Sequence, residues 1–556
     1  MNTYIKSKRA NCKNCYKCIR HCPVKSIRFS DNQAYIVEDE CIMCGRCYVV
    51  CPQNAKYVSP NVEDVKRLIE KGEEVYVSIA PSFVANYQNS TFSGMEKALK
   101  KLGFAGVEET AIGATIVKTE YEEMIKRREQ KVLISSCCHT INTLIQKKFP
   151  EALSYLAAID TPMVAHCKKI KKEHENAKIV FIGPCISKKA EADQYQEIVD
   201  YVLTFEELSS WLEEEEIQIE SIEDTGVKGR ARMFPTTGGI IKSMIQQDEN
   251  YTYVSIDGVK NCMRALRDII DGKMENCFVE MSACIGSCIG GPAMSREQRH
   301  PVSDLITVAK FSGGKDFEIE TVPDIKKEIP YIGVHQNLPG NAKIEEILHS
   351  MGKKTKEDEL NCGSCGYNTC REKAVAVYLG KAEISMCLPY LKEKAESFSD
   401  TIIGNTPNGI IVLNEQLEVQ QINKSACEML NIKHASDILN CPVVRILDPI
   451  DFITVSNTKQ SIREKRVYLA EYEKYIEETI TYDKNSDVII LIMRDVSEEE
   501  RQVREKEKLS KHTVEITDKV IEKQMRVVQE IALLLGETTA ETKIALSNLK
   551  ETLENE

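Results

Sequence analysis

Residues 278–294 read FVEMSACIGSCIGGPAM, and the five-residue stretch CIGSC, Cys284 to Cys288, poses the question that decides the fold. Two thiols four residues apart sit among small and apolar residues, with Gly-Gly-Pro directly behind. A disulfide, a zinc knuckle or a buried turn can begin this way. The cysteine count of 22 narrows the choice. A secreted miniprotein would use that number for disulfides, but 556 residues is far too long for such a scaffold. The N-terminus, MNTYIKSKRANC, reaches a cysteine before any apolar signal-peptide core. A reducing, cytoplasmic setting is expected, and with it metal or redox ligation.

The rest of the composition excludes two classes of partner. A net charge of −12 argues against a nucleic-acid partner, which would need a basic face. The longest apolar stretches, such as DVIILIM, fall far short of the ~20 residues of a membrane helix. The length demands three or more domains.

Outward from the opening motif, residues 1–58 hold a repeat. Cys12, Cys15, Cys18 and Cys22 follow C-x2-C-x2-C-x3-C-P, and Cys41, Cys44, Cys47 and Cys51 follow it again. Four thiolates enclose an iron–sulfur cube, and in the doubled arrangement the fourth cysteine of each run serves the other cube. Cys12, Cys15, Cys18 and Cys51 are therefore expected around one [4Fe-4S] cluster, and Cys41, Cys44, Cys47 and Cys22 around the second. A pair of zinc sites is the alternative. The segment is similar to the two-cluster bacterial ferredoxins.

Between 62 and 350, apolar runs alternate with amphipathic stretches. EEVYVSIAPS, KVLISSCC, AKIVFIGPC and ARMFPTTGG read as buried strands leaving into loops, with helical periodicity between them at 65–69 and 95–102. Such alternation predicts parallel α/β layers with sites at strand ends. Cys137–Cys138, Cys185 and Cys284/Cys288 all occur at or near such ends. A separate module follows at 352–393, where Cys362, Cys365, Cys370 and Cys387 fit C-x2-C-x4-C-x16-C-x-P. It looks like the four-cysteine domain of corrinoid iron–sulfur proteins and electron-transport subunits, which implies a further cube.

Residues 396–498 carry no metal signature. GIIVLNEQLEVQQIN reads as a hairpin. NKSACEMLNI places Ala426, Met429 and Leu430 on one helical face after an Asn423 cap, and SDVIILIMRDVSEEE is a strand running into a charged helix. That order resembles a PAS domain, a sensory and dimerisation module. Its Cys427 and His434 are read as core or surface residues, not haem ligands. From 499 to 556, Leu509, Ile516, Val520, Val527, Ile531 and Leu534 recur near heptad spacing. Gly536 is expected to interrupt this helix, with Leu546, Leu549 and Leu553 marking a second amphipathic turn.

The three central cysteine groups, SSCC at 135–138, GPCISKKAE at 183–191 and VEMSACIGSCIGG at 279–291, together resemble the signature loops of [FeFe]-hydrogenases. The resemblance covers roughly 60–350. It implies an H-cluster: a [4Fe-4S] cube joined through one cysteine to a diiron unit bearing CO, CN and a bridging dithiolate amine. Carried over by motif, Cys138, Cys185, Cys284 and Cys288 hold the cube, and Cys288 bridges to the diiron unit. The small residues around CIGSC then leave room for an inorganic cofactor. Cys137 matches the thiol that exchanges a proton with the amine, Lys188 the ammonium that donates to a cyanide, and Glu191 a supporting carboxylate. The departures are Gly183 and Ser282 where productive enzymes carry methionines, and His139 and Ile141 where a proline and a tryptophan follow the paired cysteines. On the proton path, only Glu120, Glu122 and Glu123 of VKTEYEEM offer carboxylates. With a PAS domain downstream, these departures resemble the sensory group of the family. The remaining Cys167, Cys262, Cys277, Cys427 and Cys441 are expected as buried small hydrophobes.

The expected protein is thus an α/β multidomain chain with a ferredoxin-like domain, an H-cluster domain, a four-cysteine iron–sulfur domain, a PAS α+β domain and C-terminal helices. It would hold four [4Fe-4S] clusters and the diiron unit. H2, protons and an electron carrier such as ferredoxin are its implied reactants. By family analogy a PP2C-type serine phosphatase or a protein kinase receives its signal, and the PAS domain and last helix make a homodimer. A catabolic, ferredoxin-linked hydrogen-evolving enzyme and a non-enzymatic iron–sulfur scaffold without the diiron unit are the competing readings.

Overall fold

The computed structural model describes residues 4–128, 130–224, 226–295, 300–334 and 337–554. The chain divides into two compact units at Leu391/Lys392. The side chain of Leu553, and the ends of the expected first and last segments at 1–3 and 555–556, lie outside the described residues.

In the first unit, the strand Ile5–Ser7 pairs antiparallel with Lys56–Val58 and closes the doubled cysteine segment on itself. A hairpin, Ile27–Ser30 with Gln33–Ile36, lies between the two runs. Each run bends in the same way. Left-handed residues stand two and four positions after its first cysteine, at Asn14 and Tyr16 and again at Met43 and Gly45. The four-cysteine module docks on this segment: Lys25 donates to the Gly366 carbonyl at 2.7 Å, and Lys381 pairs with Glu40 at 2.5 Å.

Two wholly parallel sheets follow. One has the strand order Gly106–Glu109, Val75–Ile79, Lys178–Gly183, Tyr201–Thr204, and the other Thr252–Asp257, Cys277–Ser282, Val132–Ile134. Helices cover the strands, so Val77, Ile79, Ile182 and Val279 are wholly buried and the strands read as continuous apolar runs. ARMFPTTGG, expected as a strand, is not one. Arg230–Met233 is a 3-10 turn, and Gly239–Ser243 a short helix. Arg232 decides this. Its guanidinium binds both oxygens of Glu109, at 2.8 and 2.5 Å, and lies 3.9 Å from the Phe311 ring centroid. A buried guanidinium needs such a fixed partner, and that requirement overrides the apolar character of its neighbours.

The second unit is a five-stranded antiparallel sheet ordered Val419–Ile422, Gly409–Leu413, Val488–Asp495, Lys474–Asp483, Ile462–Leu469. The hairpin, the Asn423 cap and the buried Ala426, Met429 and Leu430 stand as read from the sequence. The Asn423 carboxamide oxygen accepts from the Ala426 N–H at 2.9 Å. The unit ends in one helix, Ser497–Glu554. Gly536 does not interrupt it. A glycine costs a helix interior only about 1 kcal/mol relative to alanine, and the Leu-rich and Glu/Lys-rich flanks are strong helix formers. Of the five leftover cysteines, Cys167, Cys262 and Cys277 are buried, but Cys427 and Cys441 are only half-buried. Both belong to the smaller sheet-and-helix unit, and Arg445 Nη1 donates to Cys441 Sγ at 3.1 Å.

Candidate functional site

The sixteen cysteines expected as ligands gather into four quartets. Cys12, Cys15, Cys18 and Cys51 line one small cavity, and Cys362, Cys365, Cys370 and Cys387 line another. Cys47 lies within electrostatic reach of Cys22, Cys41 and Cys44, and Cys284 within reach of Cys138, Cys185 and Cys288. Their width tests what they fit. A tetrahedral zinc with Zn–S of about 2.3 Å needs sulfurs about 3.8 Å apart. Among the described residues, Glu108, Glu173 and His174 form the one group of three candidate ligand atoms lying within 4.8 Å of one another, and no cysteine trio does so. The quartets are too open for a single ion and suit a polynuclear cluster. Backbone N–H groups of Ser26, Met43 and Ala55 point at the sulfurs of Cys22, Cys41 and Cys51 at 3.3–3.4 Å, as a cluster-bearing thiolate requires.

The quartets also form a series. Cys284 of the central quartet feels Cys44 of the second N-terminal quartet. Tyr367 in turn feels both Cys22 and Cys365, and Tyr16 both Cys12 and Cys365. The four-cysteine module therefore neighbours the N-terminal pair.

The central quartet is assembled at carboxyl ends of strands: Cys137 and Cys138 after Val132–Ile134, Cys185 after Lys178–Gly183, and Cys284 and Cys288 after Cys277–Ser282. The glycines behind CIGSC do a different job from the one expected. A Cβ on Gly290 would lie 1.9 Å from the Ile285 carbonyl oxygen, and one on Gly291 2.8 Å from Cys288 O and from Pro184. They admit the chain's own turn. Gly183 is likewise closed in, since a Cβ there would meet the Phe181 ring at 2.8 Å. Ser282 is buried, its hydroxyl 3.5 Å from the Cys284 carbonyl.

Around the quartet stands a buried charged group. Lys188 Nζ donates to Glu191 Oε2 at 2.5 Å and to Thr161 Oγ1 at 2.9 Å. Burial would raise the Glu191 carboxyl, but Lys188, with His139 and Lys327, holds it down to about 2. Burial works against the Lys188 ammonium too, and Glu191 more than restores it, so the pair is ionic. Glu191 Oε1 has no hydrogen-bond partner, and His139 Nδ1 lies 3.7 Å from it. Burial pushes His139 down to about 4, against the pull of Glu191, and keeps it neutral near pH 7. Burial pushes the Cys137 thiol up to about 12, with Tyr121 and Lys188 opposing.

Three neighbours escape a reading of the sequence alone. Thr161 and Lys327 reach the Lys188–Glu191 pair from segments with no motif. The third, Tyr121, takes the place beside Cys137 where the sequence suggests a glutamate. Its hydroxyl lies 3.3 Å from Cys137 Sγ. The three glutamates engage other groups: Glu120 accepts from Arg127, Glu122 from the Ile245 N–H, and Glu123 lies 3.7 Å from Lys126. Helical periodicity marks Tyr121, because Ala114, Val117, Tyr121 and Ile125 form the buried face of the helix Thr110–Arg127.

Comparison with known proteins gives four family matches. They are the C-terminal domain of the iron-only hydrogenase large chain over residues 73–292, a 4Fe-4S dicluster domain over 4–52, an Fe-S cluster family over 358–389 and a PAS domain over 397–466. Iron hydrogenase 1 of Clostridium pasteurianum is 22% identical over 430 residues, 57% of this chain and 75% of that protein. A ferredoxin of Alicyclobacillus acidocaldarius is 43% identical over 60 residues, 11% of this chain and 77% of its own. Among solved structures, a variant of the [FeFe]-hydrogenase HydA1 from Chlamydomonas reinhardtii is 15% identical, with 50% of this chain and all of that one covered at a TM-score of 0.40. No helix among the described residues is long and apolar enough to cross a membrane.

Proposed function

We propose that this chain, which carries an iron-only hydrogenase domain behind a dicluster ferredoxin domain and ahead of a PAS domain, is a sensory [FeFe]-hydrogenase. It activates H2 reversibly (2 H⁺ + 2 e⁻ ⇌ H2) and passes its redox state to a partner. The observation that carries this reading is the convergence of Cys137 and the buried Lys188–Glu191 pair on one quartet, Cys138, Cys185, Cys284 and Cys288.

Cys138, Cys185, Cys284 and Cys288 would hold the cube, with Cys288 shared. The diiron unit, when bound, would supply the centre at which hydrogen is split and formed. The protein's own part is positional and protonic. Cys137 carries a proton at Sγ beside the site without serving the quartet, and general acid–base groups of this kind contribute roughly 10²–10⁴-fold. Lys188 spends two of its three N–H donors on Glu191 and Thr161 and keeps one for an anionic ligand in a dry pocket. Electrons pass along the series of quartets, from the central one to the N-terminal pair and on to the module at 352–393.

Two observations favour a sensor over the catabolic enzyme. Gly183 and Ser282 stand where bulky methionines are expected. Glu120, Glu122 and Glu123 are engaged with Arg127, the Ile245 N–H and Lys126, while the group against Cys137 is a phenol. The helix Ser497–Glu554 would then be the output, as a dimer whose heptad register has alternative packings. A coupling of ~1–3 kcal/mol suffices. The test compares hydrogen-treated and oxidised protein by hydrogen exchange over residues 500–535 and by partner affinity. Slower or faster exchange in one state supports the sensor. Identical exchange and affinity, with fast turnover, would favour the catabolic enzyme.

A further inference from the structure

The surroundings of Tyr121 define a closed hydrogen-bond chain. The Ser136 N–H donates to the Tyr121 hydroxyl oxygen at 2.7 Å. That oxygen lies 3.1 Å from Ser136 Oγ and 3.3 Å from Cys137 Sγ, and the Ser136 hydroxyl donates to the Ile159 carbonyl at 3.0 Å. A phenol has one proton to give and two lone pairs. One lone pair is taken by the Ser136 N–H. Ser136 spends its own proton on Ile159, so toward Tyr121 its oxygen only accepts. Of the two acceptors open to the phenol proton, this oxygen at 3.1 Å is nearer and stronger than Cys137 Sγ at 3.3 Å, and takes it. The second lone pair of Tyr121 then remains for a single donor, the Cys137 S–H. The chain ends on the Ile159 carbonyl, and among the described residues no carboxylate is hydrogen-bonded to it; Glu280 acts on Cys137 only through its charge.

We infer that Tyr121 is a positioning residue that turns the Cys137 S–H onto its own oxygen and away from the reacting face. The thiol must break this bond before it can offer its proton. When the sulfur has no proton, one rotation of the phenol O–H, from Ser136 to Cys137, satisfies it. Tyr121 thus serves both forms of Cys137 while supplying no proton of its own, which slows turnover without removing the acid. This consequence rests on the proposed role of Cys137, but the hydrogen bond itself does not.

The S–H stretch reads the bond directly, in cube-bearing protein prepared without the diiron unit. The band of Cys137 is identified by difference against Cys137→Ala. In the unaltered protein it is expected below the wavenumber of a thiol without partners. In Tyr121→Phe, which keeps the ring packed 5.4 Å from Phe278, it is expected to shift to higher wavenumber with iron content unchanged. An unaltered-protein band already at the unpartnered position would overturn the inference, even if Tyr121→Phe does not fold. So would a band that Tyr121→Phe leaves in place. Neither result bears on whether the chain activates hydrogen, so the two readings fail separately.

Discussion

The central quartet and the last helix are incomplete in opposite ways. Cys138, Cys185, Cys284 and Cys288 come from three distant segments, are drawn together at strand ends, and stand beside a buried Lys188–Glu191 pair whose Glu191 Oε1 has no hydrogen-bond partner. The space between them is too wide for one ion and suits an inorganic body. The helix Ser497–Glu554 is one local segment, and its large apolar residues stand in solvent: Leu509 is 68% exposed, Val520 52% and Leu534 62%. Val520, Val527 and Leu534 repeat at seven residues, and Val514, Ile521, Val528 and Leu535 repeat likewise one position further on. Most helix stability in proteins comes from packing an apolar face, and here that face stands in solvent. What it lacks is a cover for those apolar rows. An open cysteine quartet and a helix with uncovered apolar rows thus differ in what they lack, and the two should respond to different substitutions.

The sharpest break between them is expected from the ligands. Fully loaded protein should hold about sixteen cube irons and two more in the diiron unit. Cys288→Ala should abolish hydrogen chemistry and lower the iron content, while leaving self-association through the last helix intact. Cys362→Ala should remove one cube and keep hydrogen chemistry. Loss of all activity in that variant, with the other clusters intact, would contradict a peripheral place for the module.

Next in size is Cys137→Ala, which should lower hydrogen oxidation by roughly 10²–10⁴-fold with the irons retained. Loss of the cube instead would mean that Cys137 and Cys138 have exchanged roles. On the other side of the comparison, Val527→Glu with Leu534→Glu should weaken self-association at least tenfold, because each buried aliphatic side chain contributes about 1.5–3 kcal/mol. Sedimentation measures it, and iron content should not change. Unaltered association would show that the exposed rows pair with nothing in a second copy.

The smallest expected effect lies in the PAS sheet. Burial pushes the Glu478 carboxyl up to about 7, with Asp451 adding to the rise and Lys465 opposing it. The folded sheet therefore prefers the protonated form. Stability is lost as pH rises from the ordinary carboxylate value of 4.5 through about 7. Glu478→Gln should slow amide exchange in Lys474–Asp483 at pH 8 by an amount on the order of 1 kcal/mol, after allowance for solvent screening, and change little at pH 5. Equal effects at both pH values would remove the titration from the explanation.

What is legible in the sequence is local. Cysteine spacings, the Asn423 cap and the PAS hairpin each lie within a few residues, and the grouping of the cysteines into quartets follows from spacing and resemblance. The wall of the site is less legible. Tyr121 stands sixteen residues from Cys137 in a run whose carboxylates are more conspicuous, although the 3.6-residue period places it, not them, on the buried face. Lys327 approaches from a segment without periodicity, and ARMFPTTGG hides an arginine whose partner, Glu109, lies 123 residues away. Gly536 misleads when a breaker is weighed without the helix formers on either side.

The quartet at Cys138, Cys185, Cys284 and Cys288 is proposed to anchor a diiron unit. Infrared spectroscopy of protein matured with that unit tests it most directly, since iron-bound CO and cyanide absorb where polypeptide does not. We expect both sets of bands, shifting under hydrogen and absent in Cys288→Ala. A matured protein with its cubes in place and no CO or cyanide bands would contradict the account and leave an iron–sulfur scaffold.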